Sequence, residues 1–347
     1  MNAYSPRTWV AFAAAGALAL SAVGGCAAAA PPPVAQTAAA VTAPQEVTIV
    51  KGEWVDAKRG RTIPYKLYLP SGRGPFPVVV HSHGLGGSRE GSTYINEAVA
   101  REGIAVFAIQ HPGSDSGILN PETIGATRQG RLQLPPGAAE GRFGDLPFAL
   151  DQITALNAAG TYKGRFNLAR IGMAGHSFGA LSTLIAVGQS LPVVDQQFRD
   201  PRIRAAIVYS PNKPRQGEAG PAFAKVTTPI LHFTGTKDTS PLDLEKTPWE
   251  RTIPFQTITG ADQFLIVLHD GDHGVFGGRL GGGGLNRPTD PAHTAIIKAE
   301  SIRFWRAWLL DDPAASAQLC DIPSRVAAEA DGYVKAARCG PPTPLPQ

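Results

Sequence analysis

The chain is poor in several things. Its 347 residues include three cysteines and two methionines, and only 17% are charged. Lys plus Arg number 32 against 28 for Asp plus Glu, so the formal net charge is +4. The basic residues are scattered, and no run of them is long enough for a nucleic-acid footprint or a polybasic membrane patch. No nucleic-acid partner is therefore expected. No internal repeat is present, and neither Cys320 nor Cys339 lies near a His/Asp cluster in sequence, which disfavours a cysteine metal site. What is present is a 43% hydrophobic composition, ordinary for a folded protein with a large core.

The first 25 residues differ from the rest. A start carrying Arg7 precedes an apolar stretch from Trp9 to Gly25 that ends in small residues. This is the layout of a secretory signal, slightly short for a membrane span. Val23-Gly24-Gly25-Cys26 resembles a bacterial lipobox, so Cys26 is the expected lipidation site, with cleavage among the later alanines as the alternative. Residues 26–46, rich in Ala, Pro, Thr and Val, cannot form a core and are expected to be a tether. Residues 47–347 are left as the catalytic domain. The expected location is outside the cytoplasm, on the cell envelope or soluble, with the membrane touched only through a lipid. In such a compartment Cys320 and Cys339 are expected to pair. Closing that loop contributes about 3 kcal/mol in the chain-entropy model.

From Val47 on, strands and helices alternate. Val47–Val50 and Tyr65–Leu69 have strand character and read as an antiparallel opening pair around Lys58-Arg59-Gly60. Short apolar runs at 77–81, 104–109, 170–174, 205–209 and 230–233 suit buried strands, and 264–268 is expected to be the last. Helices are expected near 94–101 and 179–187, and after Asp290-Pro291, where Phe304, Trp305 and Trp308 should pack in the core. Asp145 is expected to cap a helix carrying Leu146, Leu150, Ile153 and Leu156. The Gly/Pro-rich segment His111–Gly141 reads as a loop at a site entrance. This order indicates an α/β fold, a mostly parallel central sheet with helices on both faces.

Gly175-His176-Ser177-Phe178-Gly179 matches G-x-S-x-G between an expected strand and an expected helix. That turn projects Ser177 at the carboxyl edge of the sheet, above a helix N-terminus that favours developing negative charge. A serine hydroxyl needs a base, and the base an orienting acid, in the order Ser, acid, His. Of the later histidines, His232 and His269 fall in or at the end of strands and His293 opens a helix. His273 stands in a glycine-flanked loop and is the expected base. Asp238, after its own strand, is preferred as the acid to Asp270 and Asp272, which are too near His273 in sequence and suit turn formation. His81-Ser82-His83-Gly84-Leu85-Gly86-Gly87 follows an early strand, as the oxyanion loops of esterases do. The backbone N–H groups of Leu85 and Phe178 are the expected oxyanion donors, each worth about 3 kcal/mol in the transition state.

Ser82-His83-Gly84-Leu85-Gly86, His111-Pro112-Gly113 and Gly175–Gly179 together resemble the platelet-activating-factor acetylhydrolase and dienelactone-hydrolase-like branch of the α/β hydrolases, over roughly Val47 to Asp311. The resemblance implies the α/β-hydrolase fold and carboxylic ester hydrolysis on a small-molecule or lipid ester, with no cofactor or metal. Two departures stand out. The nucleophile is Ser177 where dienelactone hydrolases proper have cysteine. After the strand at 205–209, where the acetylhydrolases place the acid, this chain has Tyr209-Ser210-Pro211-Asn212.

Two rival readings compete. A metallohydrolase could use His81, His83, Asp270, Asp272 and His273, but Leu85-Gly86 stand where the metallo-β-lactamase pattern needs Asp-His. A non-catalytic lipoprotein on the same fold would have no reason to carry nucleophile, base, acid and oxyanion loop together.

Overall fold

Ten residues of Val47–Asp56 (β1) pair antiparallel with Arg61–Pro70 (β2), in register from Val47 opposite Pro70 to Asp56 opposite Arg61. The computed structural model describes residues 44–118, 134–192, 195–239, 245–279 and 284–345. The expected signal segment, most of the tether and Cys26 lie outside these residues.

Beyond the hairpin come Phe76–Ser82 (β3), Ala105–Ile109 (β4), Phe166–His176 (β5), Ile203–Tyr209 (β6), Ile230–Lys237 (β7), Gln263–Asp272 (β8) and Ala330–Lys335 (β9). They form one sheet in the order β1-β2-β4-β3-β5-β6-β7-β8-β9. Strands β3 to β8 run parallel, and the edges β1, β2 and β9 pair antiparallel. The chain steps outward from β3 to β4 and then returns to the other side of β3 with β5. The order of connection therefore reverses between β3 and β5, and α/β proteins place their sites at such a point, at the carboxyl ends of the strands.

Alternation along the strands divides the core in two. Val78 and Val80 face one side with Ala206 and Val208, against Leu146, Leu150 and Ile153 of the helix Ala138–Ala158 and Leu184 of the helix Phe178–Ala186. Val79, Ile207 and Tyr209 face the other, against Val99 of the helix Thr93–Arg101 and Ile297, Phe304 and Trp305 of the helix Asp290–Leu309. The aromatics of that last helix are core packing. Trp305 lies so close to β5 that a Cβ on Gly172 would fall 2.5 Å from its ring.

Three expectations need correction. The helix expected to start at Asp145 starts at Ala138, and Asp145 is a fully buried interior residue bonded to Arg59, Arg61 and His111. The segment 264–268 is not the last strand, because β9 closes the far edge against it. His273 does not stand in a loop. It opens the short helix His273–Gly277, whose N-cap is Asp272, accepting from the N–H groups of Gly274 and Val275. The pairing of Cys320 with Cys339 is formed, with Cα atoms 5.2 Å apart, and joins the short helical turns Leu319–Asp321 and Ala337–Cys339 that lie before and after β9.

Candidate active site

Ser177 stands between β5 and the helix Phe178–Ala186 with φ 55° and ψ −114°, a conformation that costs a non-glycine residue about 1–3 kcal/mol. The flanking glycines make the turn sterically possible. A Cβ on Gly175 would overlap the carbonyl of Gly179, and one on Gly179 would overlap the carbonyl of Ser82. The helix N-terminus can thus press against the end of β3, bringing the expected oxyanion loop to the serine. A Cβ on Gly84 would lie 3.4 Å from the Ser177 Cβ.

Three residues expected to work together meet at this edge. His273 Nε2 lies 2.9 Å from Ser177 Oγ, and His273 Nδ1 lies 2.8 Å from Asp238 Oδ1. With Nδ1–H directed to the carboxylate, Nε2 is free to accept the serine proton. Asp238 is fully buried, while Ser177 is partly exposed and the His273 side chain is 16% exposed. Burial alone would raise the Asp238 pKa. The Arg251 charge, the His273 hydrogen bond and the Ser210 hydroxyl outweigh it and hold the carboxyl below its ordinary value. The competing carboxylates are committed elsewhere. Asp270 pairs with Lys237 at 2.9 Å, and Asp272, besides its cap, takes Arg279 at 2.9 Å.

The expected oxyanion loop is held by backbone hydrogen bonds. Gly86 N–H donates to Ser114 O at 2.9 Å, Gly87 N–H to Gly84 O at 3.0 Å and Ser116 N–H to Gly87 O at 2.8 Å. Among the described residues the Leu85 N–H has no protein acceptor, and the Phe178 N–H belongs to the first helical turn, whose donors lack intrahelical partners. His83 accepts from the His111 N–H at 3.1 Å through Nε2, so its proton is on Nδ1, 2.6 Å from Gly84 O. His83 is thereby fully used, and burial pushes its pKa well down. No cluster of three or more metal-ligating side chains occurs among the described residues.

A model of the family described as Serine hydrolase (FSH1) matches residues 154–275, a span that includes Ser177, Asp238 and His273. No curated protein is similar to the chain at the sequence level. Among solved structures it is similar to a ferulic acid esterase from Streptomyces cinnamoneus, at 22% identity over 78% of this chain and 92% of that one, with a TM-score of 0.55. The fold is that of an α/β hydrolase.

Several residues around Ser177, His273 and Asp238 escaped sequence reasoning. Ser210 occupies the position after β6 that lacks a carboxylate. Its hydroxyl lies 2.7 and 2.6 Å from the two oxygens of Asp238 and 2.8 Å from His273 Nδ1. Arg251, also fully buried, donates through Nε to the Asp238 carbonyl at 2.7 Å and through Nη1 to the Ser210 carbonyl at 3.1 Å. His176, the residue before the serine, lies with Nε2 3.0 Å from the backbone carbonyl of His273 and so anchors the start of that short helix. Only position after a strand could have pointed to Ser210. Nothing local in the sequence marks Arg251.

Proposed function

We propose that this chain is a serine hydrolase that cleaves carboxylic esters through an acyl-enzyme, with Ser177 as nucleophile, His273 as general base and acid, and Asp238 as the orienting carboxylate. The observation that carries the reading is the unbroken line from Asp238 through His273 to a solvent-reachable Ser177. Attack of Oγ on the ester carbonyl passes the serine proton to His273 Nε2. The former carbonyl oxygen becomes an oxyanion facing the Leu85 and Phe178 N–H groups. Collapse expels the alcohol, which takes the proton from His273. A water then gives a proton to His273 and attacks the acyl carbon, and Ser177 leaves with its proton restored. Asp238 stays ionised throughout and stabilises the imidazolium.

The acetylhydrolase and dienelactone-hydrolase-like branch belongs to the same proposal and is supported by the motifs at 82–86, 111–113 and 175–179. The similarity to a ferulic acid esterase adds aromatic acyl esters to the candidate substrates. Export with a lipid on Cys26 is proposed from the sequence of residues 1–46, and mass spectrometry of the mature N-terminus tests it. A free N-terminus downstream of Cys26 would sink the anchor.

A panel of p-nitrophenyl and hydroxycinnamoyl esters of rising acyl size, combined with fluorophosphonate labelling, tests the activity. Labelling confined to Ser177, with turnover indifferent to chelators, is the expected result. Chelator-sensitive turnover without labelling would favour the metallohydrolase. Absence of both labelling and turnover would favour a non-catalytic lipoprotein.

A further inference from the structure

Arg142 is a fully buried cation to which the ester chemistry above gives no task. It lies on the helix Ala138–Ala158, one turn before Asp145. Asp145 is taken by Arg59, Arg61 and His111, and no ion pair to Arg142 occurs among the described residues. Burying a guanidinium without a directly paired counter-ion is costly, and desolvation, only partly offset by the charges of Asp145 and Asp115, draws its pKa down to about 9, which still leaves it charged at neutral pH.

Its bonds all run to the parts of the molecule that present the oxyanion donors. Nε donates to Ser182 Oγ at 2.9 Å, Nη1 to Ser114 Oγ at 3.0 Å, and Nη2 to Ser82 Oγ at 2.8 Å and to the His83 carbonyl. Two of these hydroxyls pass the contact on, Ser182 to the Phe178 carbonyl at 2.8 Å and Ser114 to the His111 carbonyl at 3.3 Å. The guanidinium also stacks over the Phe178 ring, 4.5 Å from its centre. One side chain therefore touches the loop carrying Leu85, the segment that holds that loop through Gly86 and Ser116, and the residue that supplies the second donor.

We propose that Arg142 is the positioning residue of the oxyanion hole: from behind, it fixes the Leu85 and Phe178 arms at one separation and gives them a fixed positive charge. The inference rests on the ester-hydrolase reading of Ser177. A cation in a water-excluded site favours developing negative charge more strongly than in water, and it acts on the transition state rather than on the neutral ester. Its loss is felt in kcat and leaves KM nearly unchanged.

The test uses the full chain and Arg142→Met, Arg142→Lys and Ser114→Ala. Turnover is expressed per site labelled by a fluorophosphonate carried to completion, so misfolded protein is not counted. Inhibition by a trifluoromethyl ketone, whose adduct carries an oxyanion, is measured alongside. Turnover per labelled site is expected to fall about 100-fold in Arg142→Met, about 10-fold in Arg142→Lys and about threefold in Ser114→Ala, with KM within about threefold. Affinity for the ketone should fall in proportion to kcat/KM. A merely structural role lowers the fraction of protein labelled while leaving per-site turnover and ketone affinity as in the wild type, and that result overturns the proposal. Should Arg142→Met not fold, wild-type values per site in both Arg142→Lys and Ser114→Ala overturn it equally. Wild-type protein that neither labels nor turns over ester overturns the underlying reading as well, whereas active wild type with insensitive variants overturns this inference alone.

Discussion

Two Ser–His–Asp lines run through this molecule. In the first, Ser177 Oγ, His273 and Asp238 are linked at 2.9 and 2.8 Å. In the second, Ser82 Oγ lies 2.9 Å from His111 Nε2, and His111 Nδ1 lies 3.1 Å from Asp145 Oδ2. By distance alone they are nearly the same device. Their surroundings differ. Ser82, His111 and Asp145 are all sealed from solvent, and Ser82 Oγ already accepts from Arg142. Burial, reinforced by the nearby Arg142 charge, holds the His111 pKa near 4, so it takes no proton from a serine at neutral pH. Asp145 is shared with Arg59 and Arg61. Ser177 instead faces outward from a strained turn, with no cation on its hydroxyl. Hydrogen-bond geometry therefore does not make a nucleophile. What separates the two lines is access to solvent, which Ser177 and His273 keep and Ser82 and His111 lack.

The largest expected effect is at the two serines. Ser177→Ala should lower ester turnover by about 10⁴ or more and abolish fluorophosphonate labelling. Ser82→Ala should keep labelling at Ser177 and lose turnover only through the oxyanion loop, by about 10-fold. Labelling that survived Ser177→Ala and vanished in Ser82→Ala would reverse the two lines. Next come the carboxylates. Asp238→Asn should reduce turnover by about 10⁴, since the amide favours the wrong imidazole tautomer. Asp145→Asn should spare most of the turnover and instead cost about 3 kcal/mol in urea denaturation, having broken a buried ionic network. Asp270→Asn and Asp272→Asn should be mild in turnover, and a severe defect in either alongside an active Asp238→Asn would reassign the acid.

The smallest effect separates the lines by pH. Burial holds His111 and His81 near 4 against an ordinary 6.5. The folded form stays neutral there while the unfolded chain takes protons below 6.5. Their stabilisation is therefore complete above about pH 6.5 and declines as pH falls toward 4, by up to about 1.4 kcal/mol per pH unit for each histidine. Unfolding free energies measured at pH 7, 6 and 5 should show that slope, and His111→Asn should make it shallower. A slope unchanged by His111→Asn would mean that the second line does not titrate as its burial implies.

Much of the first line could be read from sequence, because each of its members follows a strand at one sheet edge and Ser177 carries its own turn motif. Almost none of the second could be. Asp145 had the look of a helix cap because Gly141, Gly144 and Pro147 precede or follow it, and glycine and proline usually end helices. In the folded chain those glycines are places where another side chain lies. A Cβ on Gly141 would come 2.8 Å from the Arg61 guanidinium, and one on Gly144 2.8 Å from that of Arg59. The arginines reach Asp145 across the gaps. Strand β9 was missed for a different reason. Ala330-Asp331-Gly332-Tyr333-Val334-Lys335 has no apolar run, and it is ordered by pairing with β8 rather than by its own pattern. Ser210 and Arg251 meet Asp238 from 28 and 13 residues away, and no local period encodes that.

The contact between Gly179 and the end of β3 has one more consequence. The two backbones that carry the expected oxyanion donors can approach this closely because position 179 has no methyl group to overlap the Ser82 carbonyl, and the hold that Arg142 has on both arms lies behind them, away from the walls of the site. Mutation can therefore enlarge or shrink the surrounding walls without shifting the distance from which the reacting oxygen is held. On such a chassis the acyl group accepted and the bond broken are separately adjustable, so descendants of this sequence could change diet without relearning the reaction.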